Sequence, residues 1–111
     1  VKNKIHKTKL QWKKTKCMTI ILCSNGYPGK FKKNQEIKNF NLKKKNLIIY
    51  HAGTKLLKNK LLSNGGRVLS VTGTGKTFKK IRLNIFSTLR KINWKNGFFR
   101  KDIGWRVINK K

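Results

Sequence analysis

An α+β domain, mostly antiparallel β with one amphipathic helix, is the fold class the sequence predicts. Three observations carry it. Short apolar runs of strand length, such as Cys17–Cys23 and Leu47–Tyr50, recur between breaks rich in Gly and Asn. One stretch alone, Thr77 to Ile92, repeats apolar residues at three- and four-residue steps. The connections between the runs are too short for the crossovers that parallel strands need. At 111 residues the chain has room for one domain with one modest core.

The elements follow in chain order. Residues 1–9 read as a linker or the tail of a preceding element, residues 10–108 as the domain, and residues 109–111 as a tail. The whole of residues 1–16 is polar and dense in lysine. The run from Cys17 to Cys23 is continuously apolar and is ended by Ser24-Asn25-Gly26, the pattern of a buried strand entering a turn that Tyr27-Pro28-Gly29 extends. Residues 30–46 carry isolated apolar points at Phe31, Ile37, Phe40 and Leu42, which predicts a loop with short extended pieces. Asn46–His51 is a second strand. Leu56-Leu57 and Leu61-Leu62 flank Lys58-Asn59-Lys60 and predict a hairpin with Asn59 in its turn. After Asn64-Gly65-Gly66 comes a strand from Arg67 to Val71, closed by Gly73 and Gly75. The helix over 77–92 presents Phe78, Ile81, Ile85, Leu89 and Ile92 on one stripe, with Thr77 as N-cap and no capping box, because its third residue is Lys80. Residues 98–108 predict a final extended segment and turn.

Composition bounds the function. The chain holds 30 Lys and Arg against two acids, Glu36 and Asp102, for a formal charge of +28. Such a charge points first to a polyanion partner. Yet 25 of the 30 are Lys and five are Arg, Asn occurs 12 times and Ile 11 times, and Ala52 is the one alanine. Lys, Asn and Ile have A/T-rich codons, so the lysine excess reads as a base-composition bias of the gene. Direct base readers and buried phosphate clamps favour Arg for its two-pronged fork. No specific nucleic acid is therefore expected, and no membrane partner either, since no run approaches the ~18 apolar residues of a membrane span. Cys17 and Cys23 stand six apart in one strand, about 20 Å, out of disulfide reach. Two free thiols fit a reducing cytosol, and a cytoplasmic location is expected. The first residue is Val1, which reads as a fragment.

Catalytic constellations are scarce. Ser70-Val71-Thr72-Gly73-Thr74-Gly75-Lys76-Thr77 ends in the Gly-Lys-Thr of a phosphate-binding loop. Its first position is Ser where that loop needs Gly, and the chain lacks the acids that help hold Mg²⁺. It reads as a Gly-rich turn before a helix. His6 lies in the polar tail. His51 ends a strand and reads as a structural histidine. Asp102, among Arg100, Lys101 and Arg106, reads as an ion-pair hub rather than a catalyst. The three Trp and six Phe are spaced for core packing more than for stacking on bases.

Four unusual segments come in a fixed order: Cys23-Ser24-Asn25-Gly26-Tyr27-Pro28-Gly29, Tyr50-His51-Ala52-Gly53-Thr54-Lys55, Ser63-Asn64-Gly65-Gly66-Arg67-Val68-Leu69 and Arg100-Lys101-Asp102-Ile103-Gly104-Trp105-Arg106. Order and spacing resemble the C-terminal domain of the phosphoribosylamine–glycine ligase family, from about Leu10 to Val107. The chain departs from that family's pattern at Lys33-Asn34, where Lys-Gly is usual, and at Gly73-Thr74-Gly75, where Ala-Leu-Gly is usual.

The resemblance implies a small β domain of the type that closes ATP-grasp purine enzymes. Such an enzyme activates the carboxylate of glycine as an acyl phosphate and couples it to the amine of phosphoribosylamine, in purine synthesis. It further implies ATP and Mg²⁺ or Mn²⁺ bound outside this chain, N-terminal and ATP-grasp domains as partners, and no activity from this chain alone. For the substrate's phosphate, Gly65 and Gly66 leave backbone N–H groups open to an anion. Arg67 supplies a bidentate grip, and Lys55, after Gly53-Thr54, a second charge. The alternative from another class is a small basic RNA-binding protein, and a third reading is an inactive gene remnant.

Overall fold

The computed structural model describes residues 7–109, so residues 1–6 of the expected linker, with His6, and the last two residues lie outside the described part. Strand β1 (Lys16–Ser24) is central. Its odd and even positions divide cleanly: Met18, Ile20, Leu22 and Ser24 are buried, while Cys17, Thr19 and Ile21 are exposed. Strand β2 (Leu47–His51) lies at one edge. β3 (Thr54–Leu57) and β4 (Lys60–Ser63) form the expected hairpin, with Lys58 and Asn59 both at positive φ in its turn. That is the backbone a two-residue hairpin turn requires, and Asn tolerates it well.

Strand β5 (Arg67–Gly75) pairs antiparallel with β1 on one side and with β2 on the other. A two-residue strand, β6 (Gly97–Phe98), adds to the far side of β1, which makes the sheet order β2-β5-β1-β6. Helix α1 (Phe78–Leu89) covers one face of this sheet. Ile81, Ile85 and Leu89 point into the core beside Ile20, Leu69 and Val71, all nearly inaccessible to water. Thr77 caps the helix, its hydroxyl accepting from the backbone N–H of Lys80 at 3.3 Å. Among the described residues the architecture is therefore a small antiparallel sheet with one main helix, as the periodicity predicts.

Three local readings change. The helix stops at Leu89, and Ile92 reaches the core from the segment beyond it. The chain after Phe98 does not stay extended: it turns at residues 101–104 and ends in a one-turn helix, α2 (Trp105–Ile108). Strand β5 runs through Gly75 rather than closing at Val71. Residues 70–75 are thus strand, with Gly75 opposite Lys16 and Thr74 opposite Cys17, so their backbone is committed to a ladder and cannot wrap a phosphate. Gly73 is small for a packing reason: a Cβ there would sit 3.0 Å from both Ile81 Cγ2 and Leu47 Cδ2.

Among the described residues no helix packs on the other face of the sheet. That face carries Thr19 and Ile21 of β1, Ser70 and Thr72 of β5, and Ile48 and Tyr50 of β2, the last two 54% and 51% exposed. Thr19 and Thr72 hydroxyls meet across the strands at 2.8 Å.

Candidate functional site

The register of β1 against β5 slips by one residue at Val68. Leu22 pairs with Leu69, but Cys23 pairs with Arg67. Val68 is the extra residue of a β-bulge, and both Val68 and Leu69 are fully buried. Strict alternation would send Arg67 to the side of Leu69, into the core. The bulge resets the alternation and turns Arg67 out on the uncovered face, exposed beside Cys23.

Around Arg67 the segments that stood apart in sequence converge. Ser24 donates its backbone N–H to the carbonyl of Gly66 and its hydroxyl to the carbonyl of Gly65, each at 2.8 Å. Gly53 donates to the carbonyl of Arg67 at 2.9 Å and accepts from the N–H of Asn64 at 2.7 Å. Gly53 and Gly65 are in backbone contact: a Cβ on Gly53 would be 2.8 Å from Gly65 Cα. Any side chain at either position would push the two segments apart. The Tyr27 ring fills the space above Gly66, and the Tyr27–Pro28 peptide is cis.

Two cavities open beside Arg67. The first, about 480 Å³, is lined by Ile21, Tyr27, Ala52, Gly66, Arg67 and Ser70. The second, about 450 Å³, is mainly apolar and is lined by Ile21, Cys23, Tyr27, Phe98 and Ile103, with Arg67 and Arg100 as its cations. Burial pushes the Cys23 thiol above its ordinary range, and the opposing pull of Arg67 is the weaker influence.

Of the site residues expected from sequence, Gly66 and Arg67 line the first cavity, and Gly65 lies beneath it in hydrogen bond with Ser24. Lys55 lies on β3 in the separate hairpin, exposed, and lines neither cavity. Tyr27 and Arg100, which line the cavities, were missed. Both stand inside the four unusual segments, but Tyr27 read as turn and Arg100 as a neighbour of Asp102. Asp102 is a partner in a pair rather than a hub. Arg100 Nε and Nη2 grip its two carboxylate oxygens at 3.0 and 2.6 Å, and that guanidinium holds the carboxyl below the usual carboxylate range. His51 Nδ1 meets Thr54 Oγ1 at 3.2 Å, with the Phe40 ring against its edge. Glu36 faces Lys38 and Lys60 at 3.8 and 3.9 Å. Among the described residues no group of three His, Cys, Asp or Glu could hold a metal ion, and no helix is long and apolar enough to cross a membrane.

These features define a class: a small antiparallel lobe with one face packed by a helix, and an uncovered face that presents an arginine on a bulge beside a glycine pair. The chain belongs to the family described as phosphoribosylglycinamide synthetase, C domain, whose model matches residues 17–106. Similar proteins agree. A chloroplastic phosphoribosylamine–glycine ligase of Arabidopsis thaliana is 39% identical over 99% of this chain and 21% of its own length. A phosphoribosylamine–glycine ligase of Agrobacterium fabrum is 36% identical over 94% of this chain and 25% of its own. The crystal structure of a Thermotoga maritima phosphoribosylamine–glycine ligase superposes with a TM-score of 0.67 at 30% identity, over 78% of this chain and 21% of that one. The chain thus spans about a quarter or less of the proteins it matches.

Proposed function

We propose that this chain serves as the C-terminal domain of a phosphoribosylamine–glycine ligase, and that Arg67 beside Gly65-Gly66 receives the phosphate of phosphoribosylamine. The convergence of two separate segments, around Ser24–Tyr27 and Gly53, on the Gly65–Arg67 backbone, with a cavity opening over it, carries this reading. A guanidinium matches a phosphate with two parallel hydrogen bonds. The Ser70 hydroxyl in the same cavity supplies a further donor. Lys55, exposed on β3 and lining neither cavity, makes no contact there and adds its positive charge only from a distance.

The uncovered sheet face is the natural seat for the rest of such an enzyme. A face with Ile21, Ile48 and Tyr50 open to water is stabilised when another domain covers it. ATP and its Mg²⁺ or Mn²⁺ belong to those other domains. Glu36 and Asp102 lie in different segments and each faces cations already, so the residues present do not fit a metal–nucleotide site. The unpaired thiols of Cys17 and Cys23 fit a reducing compartment, in keeping with a cytoplasmic location.

Steady-state kinetics of an intact enzyme carrying this domain test the assignment. Arg67→Ala should lower kcat/KM for phosphoribosylamine by roughly ten- to a hundredfold, the cost of one charge-assisted contact, and leave ATP and glycine nearly unchanged. An unchanged KM for phosphoribosylamine with a lowered melting temperature would make Arg67 a structural brace and sink the assignment.

A further inference from the structure

Arg67 shares its apolar cavity with one other cation, Arg100. Arg100 does not hang free. Its Nε and Nη2 are gripped by the two oxygens of Asp102, which occupies one edge of the guanidinium and fixes its plane. Five N–H donors sit on that group, and the Nη1 side lies on the edge away from Asp102.

Asp102 is in turn held by the body of the domain. It sits in the turn at residues 101–104, and the carbonyls on both sides of it, those of Lys101 and Ile103, accept from one guanidinium, that of Arg82 on α1. Arg82 lies over the Phe86 ring, 4.5 Å from its centre, and Phe86 packs on Phe99, the residue before Arg100. The helix therefore grips the turn from behind, the turn carries Asp102, and Asp102 aims Arg100 at the cavity.

Stability does not account for this arrangement. The Arg100 and Asp102 side chains are 69% and 51% exposed, and exposed ion pairs contribute little to folding. What such a relay does supply is a fixed direction for an arginine fork. The rest of the lining, with Ile21, Phe98 and Ile103, is mainly apolar. An anion entering there meets its cations with less competing water.

We infer that Arg100 is a second anion contact of this site, gripping with Arg67 the phosphate monoester of the substrate, with Asp102 and Arg82 as its positioning residues. Two guanidinium charges against one carboxylate leave a net positive charge for the phosphate to neutralise. The inference rests on the proposed role of Arg67 and adds a contact that Lys55, lining neither cavity, is not placed to make.

The test uses the 111-residue chain, titrated with ribose 5-phosphate at constant physiological ionic strength and followed by amide chemical shifts. Lys91→Ala, exposed in the turn after α1 and lining neither cavity, measures what loss of any one charge does to a chain this basic. Arg100→Ala should weaken binding about three- to tenfold beyond that control. Arg100→Lys, which keeps the charge and loses the fork, should recover only part of it. Arg82→Lys should weaken binding in the native background but not in the Arg100→Ala background, whereas a merely structural Arg82 would lower the melting temperature in both and show no such coupling. If Arg67→Ala weakens binding and Arg100→Ala matches the Lys91→Ala control, this inference falls and the Arg67 assignment stands. If neither arginine exceeds the control, or the native chain shows no saturable binding, both fall.

Discussion

The ring of Tyr27 occupies the space that any side chain at Gly66 would need: a Cβ built on Gly66 lies 2.0 Å from Tyr27 Cδ2. Tyr27 belongs to the turn after β1 and Gly66 to the approach to β5, so this contact locks two of the unusual segments together at the mouth of the cavity. Gly66→Ala should displace the ring and cost about 1–3 kcal/mol, the range for overpacking a well-filled site. Tyr27→Ala in the same chain should relieve the clash, so the double variant should be more stable than the sum of the two singles predicts. Chemical denaturation of the four proteins measures it. Strict additivity would mean that ring and glycine do not meet.

That contact marks the limit of what sequence could tell. Strand β1 was legible as a continuous apolar run ended by turn residues, helix α1 because burial imposes its period of 3.6, and the hairpin because Lys58-Asn59 between two Leu pairs is turn chemistry. The extra residue in β5 was not. Val68 and Leu69 are both apolar, and nothing local says which faces the core when both do. The direction of Arg67 depends on that choice. Likewise the tail after Phe98 has too few residues to show a period, and the pairing of Arg82 with carbonyls 19 and 21 positions away leaves no trace in either segment. The four segments were legible as a set, but that the first two meet the third at Gly65-Gly66 is a property of the fold.

The two cysteines should differ in reactivity. Cys17 is exposed on the uncovered face, whereas Cys23 is partly buried in the apolar cavity, where burial raises its pKa. Only the thiolate attacks an alkylating agent. At mildly alkaline pH, iodoacetamide should modify Cys17 first. The rate at Cys23 should rise at higher pH than it does in the denatured chain, because its neutral form is the one the fold favours. By the same linkage, this thiol contributes stability below its unfolded pKa and loses it as pH rises through the folded value. Mass spectrometry of partially alkylated, digested protein reads the order. Faster modification at Cys23 would contradict the burial.

Nucleic-acid binding should be weak and should collapse with salt. The charge of +28 is carried by 25 lysines and five arginines. Of the arginines, Arg82 is bound to carbonyls of its own domain. A surface built of lysines attracts phosphates through counterion release, so log Kd should climb steeply with log salt concentration. Fluorescence anisotropy with two unrelated RNAs, at low and at physiological salt, provides the measurement. Tight binding that distinguishes the two sequences at physiological salt would revive the RNA-binding reading.

The last prediction separates the core face of α1 from its outer face. Ile85 is fully buried over the sheet, and a Cβ at Gly73 would lie 3.2 Å from Ile85 Cγ1, so the two surfaces interlock with no slack. Leu83, two residues earlier, is 61% exposed on the same helix. Truncating Ile85 to Ala removes buried methyl groups and leaves a cavity that a glycine cannot fill, which should cost about 2–4 kcal/mol. Truncating Leu83 removes a side chain already in water and should stay within roughly 0.5 kcal/mol. Both variants keep good helix formers at both positions, so propensity cannot explain the difference. Urea unfolding with an unchanged slope should show the midpoint falling for Ile85→Ala and holding for Leu83→Ala. Equal losses would mean that Leu83 is covered in solution, by a second copy or by a rotated helix, and would overturn the assignment of the inner face.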